Sequence, residues 1–265
     1  MTEFEKLRIV VGYEFLKHIR RKRLWVILGL ALLAEAAVLI LLPVLSDGYP
    51  DNVTTMAALL TIGPGLASIG AVFFAGDAIA GEFEGRTGFI LFVNPIRRST
   101  LWIGKFLASY IAVILLVIFS YAIIVISLLA IYGEVPFETA KSFGLAVLFS
   151  GAVISITFFF SSVSKGTMGA TVVTLVFVMV ISGIIESVLI FTGNPYWFLI
   201  SAQGDSTALV YGGFEAFVGG FGGGFGSRMP DFEPLDIGLA AWGMVIYLVG
   251  GLVLAVLISS RRQLA

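Results

Sequence analysis

The strongest constraint on this chain is a set of six long apolar runs that carry almost no charge. They cover residues 24–45, 55–78, 101–132, 142–163, 168–191 and 237–259. A helix needs roughly 20 apolar residues to cross a hydrocarbon core about 30 Å thick, and each run is long enough. The runs are continuous and not short alternating segments, so they predict helices and not a β-barrel. The predicted fold is an all-α integral membrane protein with six transmembrane helices in a single domain, residues 1–265. Gly63-Pro64-Gly65 predicts a kink in the second span.

The composition agrees with a protein that lies in a bilayer. Hydrophobic residues make up 58% of the chain, charged residues only 12%, and the mean hydropathy is +1.04. A water-soluble protein has about a quarter charged residues. The net charge of −1 gives no reason to expect a nucleic-acid partner. With no cysteine and a single histidine, His18, the chain lacks the side chains for a disulfide, a thiolate metal site or a multi-histidine metal site, so no metal is expected.

Lysine and arginine are distributed unevenly between the segments that connect the apolar runs. If both termini face the cytoplasm, every basic residue except Lys141 and Arg228 lies on the cytoplasmic side. Short cytoplasmic segments of membrane proteins are enriched in basic residues. The pattern therefore predicts a multi-pass protein of the cytoplasmic membrane with both termini inside. Residues 192–236 would then form the longest extracytoplasmic segment, and its second half is rich in glycine and phenylalanine.

The residues before the first span have the pattern of an amphipathic helix. One helical face carries apolar residues spaced by three or four positions: Phe4, Leu7, Val11, Phe15 and Ile19. A basic cluster follows at residues 20–23. We interpret residues 1–23 as a helix that lies in the cytoplasmic interface, with His18 at the interface and the cations near anionic headgroups. The alternative is an ordinary basic anchor that only fixes the topology.

A compact charged stretch, "GEFEGRTGFILFVNPIRRSTLWIGK", separates the second and third runs at residues 81–105. A helix over residues 81–93 would carry its acids in the first turns, at the positive end of the helix dipole. Pro95 would end that helix, because the residue before a proline is disfavoured in helical geometry. Ser99 or Thr100 could cap the next helix. The prediction is a short cytoplasmic helix attached to a span at each end. The alternative, a plain positive-inside loop, does not require this mixture of acids, bases and aromatic residues.

This stretch resembles the cytoplasmic loop of the ATP-binding-cassette type-2 permeases, in which an E-x-E-x-G-T motif precedes leucines, a proline, an arginine and a G-K pair. The positions that follow the pattern without a gap are Glu82, Glu84, Thr87, Ile90, Leu91, Pro95, Arg98, Gly104 and Lys105. Arg86 stands where the family usually has glycine, and Gly88 replaces a bulky residue. The order of an amphipathic N-terminal helix, six spans and a long outer segment before the sixth span is also similar to the family.

The resemblance implies the permease subunit of an exporter, with no ATPase activity of its own. In the family, this loop is a coupling helix that binds a separate nucleotide-binding ATPase subunit. Two permease chains, identical or paralogous, assemble with two ATPase subunits in the bilayer. ATP and Mg would therefore bind the partner, which agrees with the absence of a GxxxxGK[ST] phosphate loop from this sequence. Within a coupling segment at residues 81–98, the positions that the resemblance assigns to ATPase coupling are Glu82, Glu84, Arg86, Thr87, Pro95 and Arg98.

Two carboxyl groups interrupt the apolar runs, Glu35 in the first and Glu186 in the fifth. An ionisable side chain at such depth costs at least about 2 kcal/mol, so it usually faces protein or a water-filled cavity. Both are candidates for a translocation pathway, where they would line a route between protomers or contact a cationic or polar substrate. The structural alternative is a protonated carboxyl that is hydrogen-bonded to a neighbouring helix.

The same two carboxyls support a second functional hypothesis. In an ATP-independent secondary transporter or channel, Glu35 and Glu186 would be proton-linked groups. That hypothesis leaves the charged stretch at residues 81–105 unexplained. A third hypothesis, an intramembrane hydrolase, is disfavoured because the predicted spans contain no histidine or cysteine to serve as general base or nucleophile.

Overall fold

The six predicted spans are helices in a computed structural model of the chain, which describes residues 2–85, 96–212 and 235–261. The helices long and apolar enough to cross a membrane are Lys22–Leu45, Val53–Glu84, Arg98–Tyr132, Glu138–Val163, Thr167–Phe191 and Ile237–Arg261. Their bounds lie close to the predicted ones, and the three described ranges contain no β-strand. The prediction of a multi-pass, all-α membrane protein is confirmed.

Several spans are divided into shorter helices. In chain order, the described helices are α1 (Glu3–Arg20), α2 (Lys22–Leu45), α3 (Val53–Leu60), α4 (Ile62–Ala75), α5 (Ala80–Glu84), α6 (Arg98–Tyr132), α7 (Glu138–Val163), α8 (Thr167–Leu175), α9 (Ser182–Phe191), α10 (Ile200–Leu209) and α11 (Ile237–Arg261). A π-helical segment, Val176–Ile181, joins α8 to α9. The first span is thus α2, the second α3 to α5, the third α6, the fourth α7, the fifth α8 with α9, and the sixth α11.

The predicted kink in the second span is present. α3 ends at Leu60 and α4 begins at Ile62. Pro64 has no N–H to donate to the Leu60 carbonyl, and its ring would clash with that carbonyl in a straight helix. The Thr61 amide instead donates to the Ala58 carbonyl at 3.2 Å, which makes a tighter turn. The proline therefore explains why the span divides at this level.

α7 is the central helix of the bundle and contacts α4, α6, α10 and α11. Four of its serines are fully buried, and each hydroxyl bonds to a different neighbour at 2.6–2.8 Å. The pairs are Ser142 with the Thr207 carbonyl, Ser150 with the Ser68 hydroxyl, Ser155 with the Leu248 carbonyl, and Ser161 with the Gly76 carbonyl. Small hydroxyl residues allow helices to approach closely and bond inside a membrane. These serines fix the neighbouring elements around α7.

The segment after the fifth span returns into the bundle as α10. Gln203 and Ser206 of α10 are fully buried, and the helix packs against α7, α9 and α11. At its start, the Ser201 hydroxyl bonds to Ser182 of α9 at 2.7 Å. Ser182 precedes the end of the fifth span by nine residues, so the start of α10 lies roughly 14 Å from that end, measured along the span. Residues 213–234, which hold most of the glycine- and phenylalanine-rich part, lie outside the described residues.

A helix is present before the first span, but its packing differs from the predicted pattern. α1 packs along α6, and the side of α1 that faces the protein also carries Glu14 and the buried His18. These polar residues find partners on α6, so the protein and not the bilayer covers this side. The predicted apolar face is divided between a half-buried set, Leu7, Val11 and Phe15, and an exposed set, Phe4 and Ile19. That α1 lies in a membrane interface stays a prediction.

The third span begins differently from the prediction. α6 starts at Arg98, and Arg97 before it has an extended backbone with no side-chain cap. The prediction that Ser99 or Thr100 caps this helix is therefore wrong. The Thr100 hydroxyl donates instead to the Glu3 carboxylate of α1 at 2.9 Å. Of the predicted helix at residues 81–93, the described part is α5 and the residue after it.

Candidate functional site

Charged residues gather at one end of the bundle, which we name the basic end. It is formed by α1, α5, the starts of α6 and α8, and the end of α11. At the basic end, the second span is attached to α7. The Ser161 hydroxyl donates to the Gly76 carbonyl at 2.8 Å and accepts the Ala80 amide at 2.9 Å. The turn between α4 and α5 is therefore fixed to the buried centre of the bundle, and α5 emerges from a rigid base.

Lys105 of α6 is buried at the basic end, only 1% exposed, and binds two carboxylates. Its Nζ donates to Oε1 of Glu14 at 2.5 Å and to Oε1 of Glu82 at 2.7 Å. We name these three residues the lysine triad. Lys17 also donates to Glu14, at 3.2 Å, so two cations balance two anions. Burial would raise the pKa of Glu14, but Lys105 and Lys17 outweigh burial and hold that pKa below its ordinary value.

Glu84 caps the fifth span. Its Oε2 accepts the backbone N–H of Thr167, the first residue of α8, at 2.8 Å. The N-cap position of α8 is Gly166, which has no side chain to accept a hydrogen bond. A carboxylate at a helix N-terminus satisfies an unpaired amide and interacts favourably with the helix dipole. Glu84 supplies the cap from another span, and it thereby joins the end of the second span to the start of the fifth.

Arginine contacts join further elements at the basic end. Arg98 donates to the Ser260 carbonyl at 3.1 Å, in the last turn of α11, where the helix dipole favours a cation. Arg21, and Arg23 at 3.3 Å, bind the Asp77 carboxylate just after α4. The sixth span is therefore linked to the third, and the junction of α1 and α2 is linked to the second.

His18 is a buried residue of α1. Burial lowers the pKa of His18 from 6.5 to about 4, although Glu14 and Asp77 oppose the shift. Its Nε2 bonds to the Ser109 hydroxyl at 3.2 Å, and its ring packs edge-on against Phe74. The imidazole is therefore neutral near neutral pH, and it belongs to the packing between α1, α4 and α6.

Residues 8–196 of the chain match the family model described as ABC-2 family transporter protein. The chain belongs to this family. A curated relative, the probable ABC transporter permease protein NosY of Pseudomonas aeruginosa, is 31% identical over 105 residues. That match covers 40% of this chain and 38% of the relative, so the chain spans well under two thirds of the relative's length. The ABC-2 family is the one that the resemblance of residues 81–105 implied.

Three of the residues that the ABC-2 resemblance assigns to ATPase coupling lie at the basic end: Glu82, Glu84 and Arg98. Each makes a contact within the chain, with Lys105, Thr167 and Ser260 respectively. The other three, Arg86, Thr87 and Pro95, lie outside the described residues. The assignment of all six to coupling with an ATPase stays a prediction.

Sequence reasoning missed two residues of this site and underestimated a third. Glu14 and Thr167 lie far from residues 81–105 in the chain, and no local pattern connects them to that stretch. The sequence motif marks Lys105 only as part of the G-K pair, without a structural role. The detectable signal was a lysine inside an apolar run, because such a cation requires a carboxylate partner.

Glu35 is fully buried where the first three spans of this ABC-2 protein meet. Its carboxyl lies against the kink: a Cβ added to Gly63 would overlap Oε1, so this approach requires glycine. The neighbouring hydroxyl is Ser120 of α6. Among the described residues, neither carboxyl oxygen of Glu35 nor the Ser120 hydroxyl has a hydrogen-bond partner of ordinary geometry. An unpaired charge is very costly there, so a protonated carboxyl fits the site.

Glu186 lies in a different environment. It is 8% exposed in α9, and its neighbours are Ser201 and Asp205 of α10. The structure therefore does not bring the two candidate pathway residues together: Glu35 faces the second and third spans, whereas Glu186 faces the helix that returns into the bundle. That either residue lines a translocation pathway stays a prediction.

Proposed function

We propose that this chain is the membrane-spanning permease subunit of an ATP-binding-cassette exporter, coupled to a separate ATPase subunit that binds ATP and Mg. Membership of the ABC-2 family and the similarity to a probable ABC transporter permease support this function. Outward transport is the direction that the family resemblance implies. The complete transporter would contain a second permease chain, identical or paralogous, in the same bilayer.

The attachment of the coupling segment, residues 81–98, is the observation that carries the proposal. Near its start, Glu84 binds the first residue of the fifth span. At its end, Arg98 binds the last turn of the sixth span and continues directly into the third. A displacement of the segment by a partner would therefore reach three spans through direct contacts. A loop that only fixed the topology would not need any of these contacts.

The distribution of charge supports an orientation in which the basic end faces the cytosol, where ATP is available. Lys105, Lys165 and Arg261 belong to that end together with the basic cluster at residues 20–23. The connection between α2 and α3, at the opposite end, carries Asp47 and Asp51 and no basic residue. Basic residues favour the cytoplasmic side, so both termini would lie in the cytosol.

Cross-linking tests the proposal, because the chain contains no cysteine and needs no background substitutions. Gly85→Cys and Arg97→Cys place thiols at exposed positions in the coupling segment. Phe191→Cys, which is 77% exposed at the opposite end of the bundle, is the matched control. The tagged chain, purified with its partner, is treated with a reagent that carries a maleimide for the thiol and a succinimidyl ester for an amine of the partner. We expect cross-links from positions 85 and 97 to a protein that hydrolyses ATP and carries a GxxxxGK[ST] loop. A link from position 191 alone, or a preparation without ATPase activity, would contradict the proposal.

The buried Glu35 favours a second candidate function, ATP-independent transport in which Glu35 and Glu186 are proton-linked. The observation behind it is a membrane carboxyl with no hydrogen-bond partner of ordinary geometry among the described residues. Proton flux into ATP-free proteoliposomes, followed with an enclosed pH dye and abolished by Glu35→Gln, would support this candidate. Absence of flux in the wild-type protein would leave the ATPase-coupled permease as the function.

A further inference from the structure

α1 is held tightly along the first turns of α6. A Cβ added to Gly104 would lie 2.6 Å from a methyl group of Val10, so the two helices touch at a position that requires glycine. The Thr100 hydroxyl donates to Glu3 at 2.9 Å on one side of this contact, and Ser109 bonds to His18 at 3.2 Å on the other. α1 is therefore fixed to the third span along most of its length.

Lys105 extends this attachment to the second span. It follows Gly104 directly, and its ammonium lies between Glu14 of α1 and Glu82 of α5. The single side chain of Lys105 therefore connects Glu82 of α5 to Glu14 of α1. A second link, from Arg21 and Arg23 to Asp77, joins the junction of α1 and α2 to the residues just before α5.

We propose that Lys105 is a positioning residue for the ATPase-coupled step, because it holds α1 and α5 together as one rigid unit. The inference rests on the proposed function and extends it: the helix before the first span moves with the coupling segment and is not only a membrane anchor. Force applied to residues 81–98 then displaces α1, α5 and the start of α6 together.

The burial of the lysine triad makes it suitable for this role. The Lys105 side chain is 1% exposed, and the side chains of Glu14 and Glu82 are 18% and 12% exposed. An exposed ion pair is screened and contributes little, whereas a buried pair has a strong attraction and a fixed geometry. Buried ion pairs seldom add net stability relative to apolar residues, and their best-attested role is to specify one arrangement. Here that arrangement is the position of α1 against α5.

Distance measurements on the isolated chain test the rigid unit without an ATPase. Spin labels at Arg8→Cys and Gly85→Cys, both exposed, report α1 relative to α5 in nanodiscs. When the triad is native, we expect double electron–electron resonance to give one narrow distribution of the distance between positions 8 and 85. Lys105→Met should abolish the narrow peak, and Lys105→Arg should restore it. The control pair, Arg8→Cys with Ile118→Cys, should stay narrow throughout, because α1 packs on α6 independently of the triad.

A second variant keeps the test decisive if Lys105→Met alone does not fold, since that substitution removes the buried cation that Glu14 and Glu82 share. The triple variant Glu14→Gln, Glu82→Gln and Lys105→Met removes all three charges. We expect it to fold and to give the same broad distribution between positions 8 and 85. A narrow distribution in either variant would overturn the proposal.

The complex with the ATPase separates this inference from the proposed function. With ATP, Mg and vanadate, the distance between positions 8 and 85 should stay constant while both move relative to a label at Thr192→Cys. In Lys105→Met, the complex should still hydrolyse ATP and move position 85, but the distance between positions 8 and 85 should change, because α1 then follows only α6. Movement of position 85 without position 8 in the native triad would refute the rigid unit. If no ATPase copurifies, the proposed function fails, and the isolated-chain measurement still decides the rigid unit.

Discussion

Burial decides what single polar residues do in this protein. Glu14 and Glu35 are the same side chain in two environments. Glu14 lies beside Lys105 and Lys17, which keep it ionised, whereas Glu35 has no hydrogen-bond partner among the described residues. Lys17 is a local neighbour of Glu14, but the buried cation Lys105 comes from a distant part of the chain. Roles at the residue scale therefore depend on packing.

His18 gives the protein an acid sensitivity of predictable direction. The pKa of His18 falls from 6.5 in the unfolded chain to about 4 in the folded one, so the unfolded state binds the extra proton. Its contribution to stability is complete above pH 6.5 and is lost as the pH falls toward about 4. The full effect is on the order of 3 kcal/mol. We expect the thermal unfolding temperature to fall across this window and His18→Gln to flatten the fall. An equal slope in the variant would assign the sensitivity to other groups.

The kink offers a matched pair of glycine substitutions. Gly63→Ala should destabilise the protein by about 1–3 kcal/mol, since the new Cβ would overlap the Glu35 carboxyl in a packed interior. Gly65→Ala is the control, because no atom lies within 4 Å of its added Cβ. Thermal unfolding in detergent measures both. In a double-mutant cycle, Glu35→Ala should remove most of the cost of Gly63→Ala. Equal costs for the two glycine variants would contradict the close contact between Glu35 and the kink.

At the scale of elements, thiol labelling can test whether α10 returns into the bundle. Ile200 begins α10 and is 1% exposed, whereas Asn194, six residues earlier, is exposed. We expect Asn194→Cys to react rapidly with a membrane-impermeant maleimide and Ile200→Cys to react only after denaturation, because the reagent must reach the thiolate. Rapid labelling at both positions would show that α10 does not return into the bundle.

The elements differ in how far the sequence could predict them. The spans and the kink at Pro64 follow from local rules: the length of apolar runs, and a missing N–H. α10 follows from no such rule, because "ISAQGDSTAL" is short and polar and its burial depends on serines of α7 and α9. The same holds at the site. Residues 81–105 carried a recognisable motif, but Glu14 and Thr167 joined it only through tertiary contacts.

At the scale of the whole molecule, the type of polar contact depends on its position along the bundle. Neutral serine hydroxyls link α7 to its neighbours through the middle, where a charge would be costly. Ion pairs and charged caps appear at the basic end, at Asp77, Glu82, Glu84 and Lys105. A force applied at the basic end would act first on these charged contacts. The serine contacts of α7 would then transmit it to the other spans. The proposed coupling to an ATPase at the basic end would use this arrangement.

The orientation of the whole molecule in the membrane can be measured by thiol labelling. Single cysteines at Ser46→Cys and Thr192→Cys mark the end opposite the basic end, and Gly85→Cys marks the basic end; all three positions are exposed. In intact cells, we expect an impermeant maleimide to label positions 46 and 192 only, and position 85 to react after permeabilisation. The physical reason is that basic residues are retained on the cytoplasmic side of the membrane. The three substitutions do not change the orientation signal, because none of them removes a charge. The reverse labelling pattern would place the coupling segment away from ATP and would exclude the ATPase-driven mechanism.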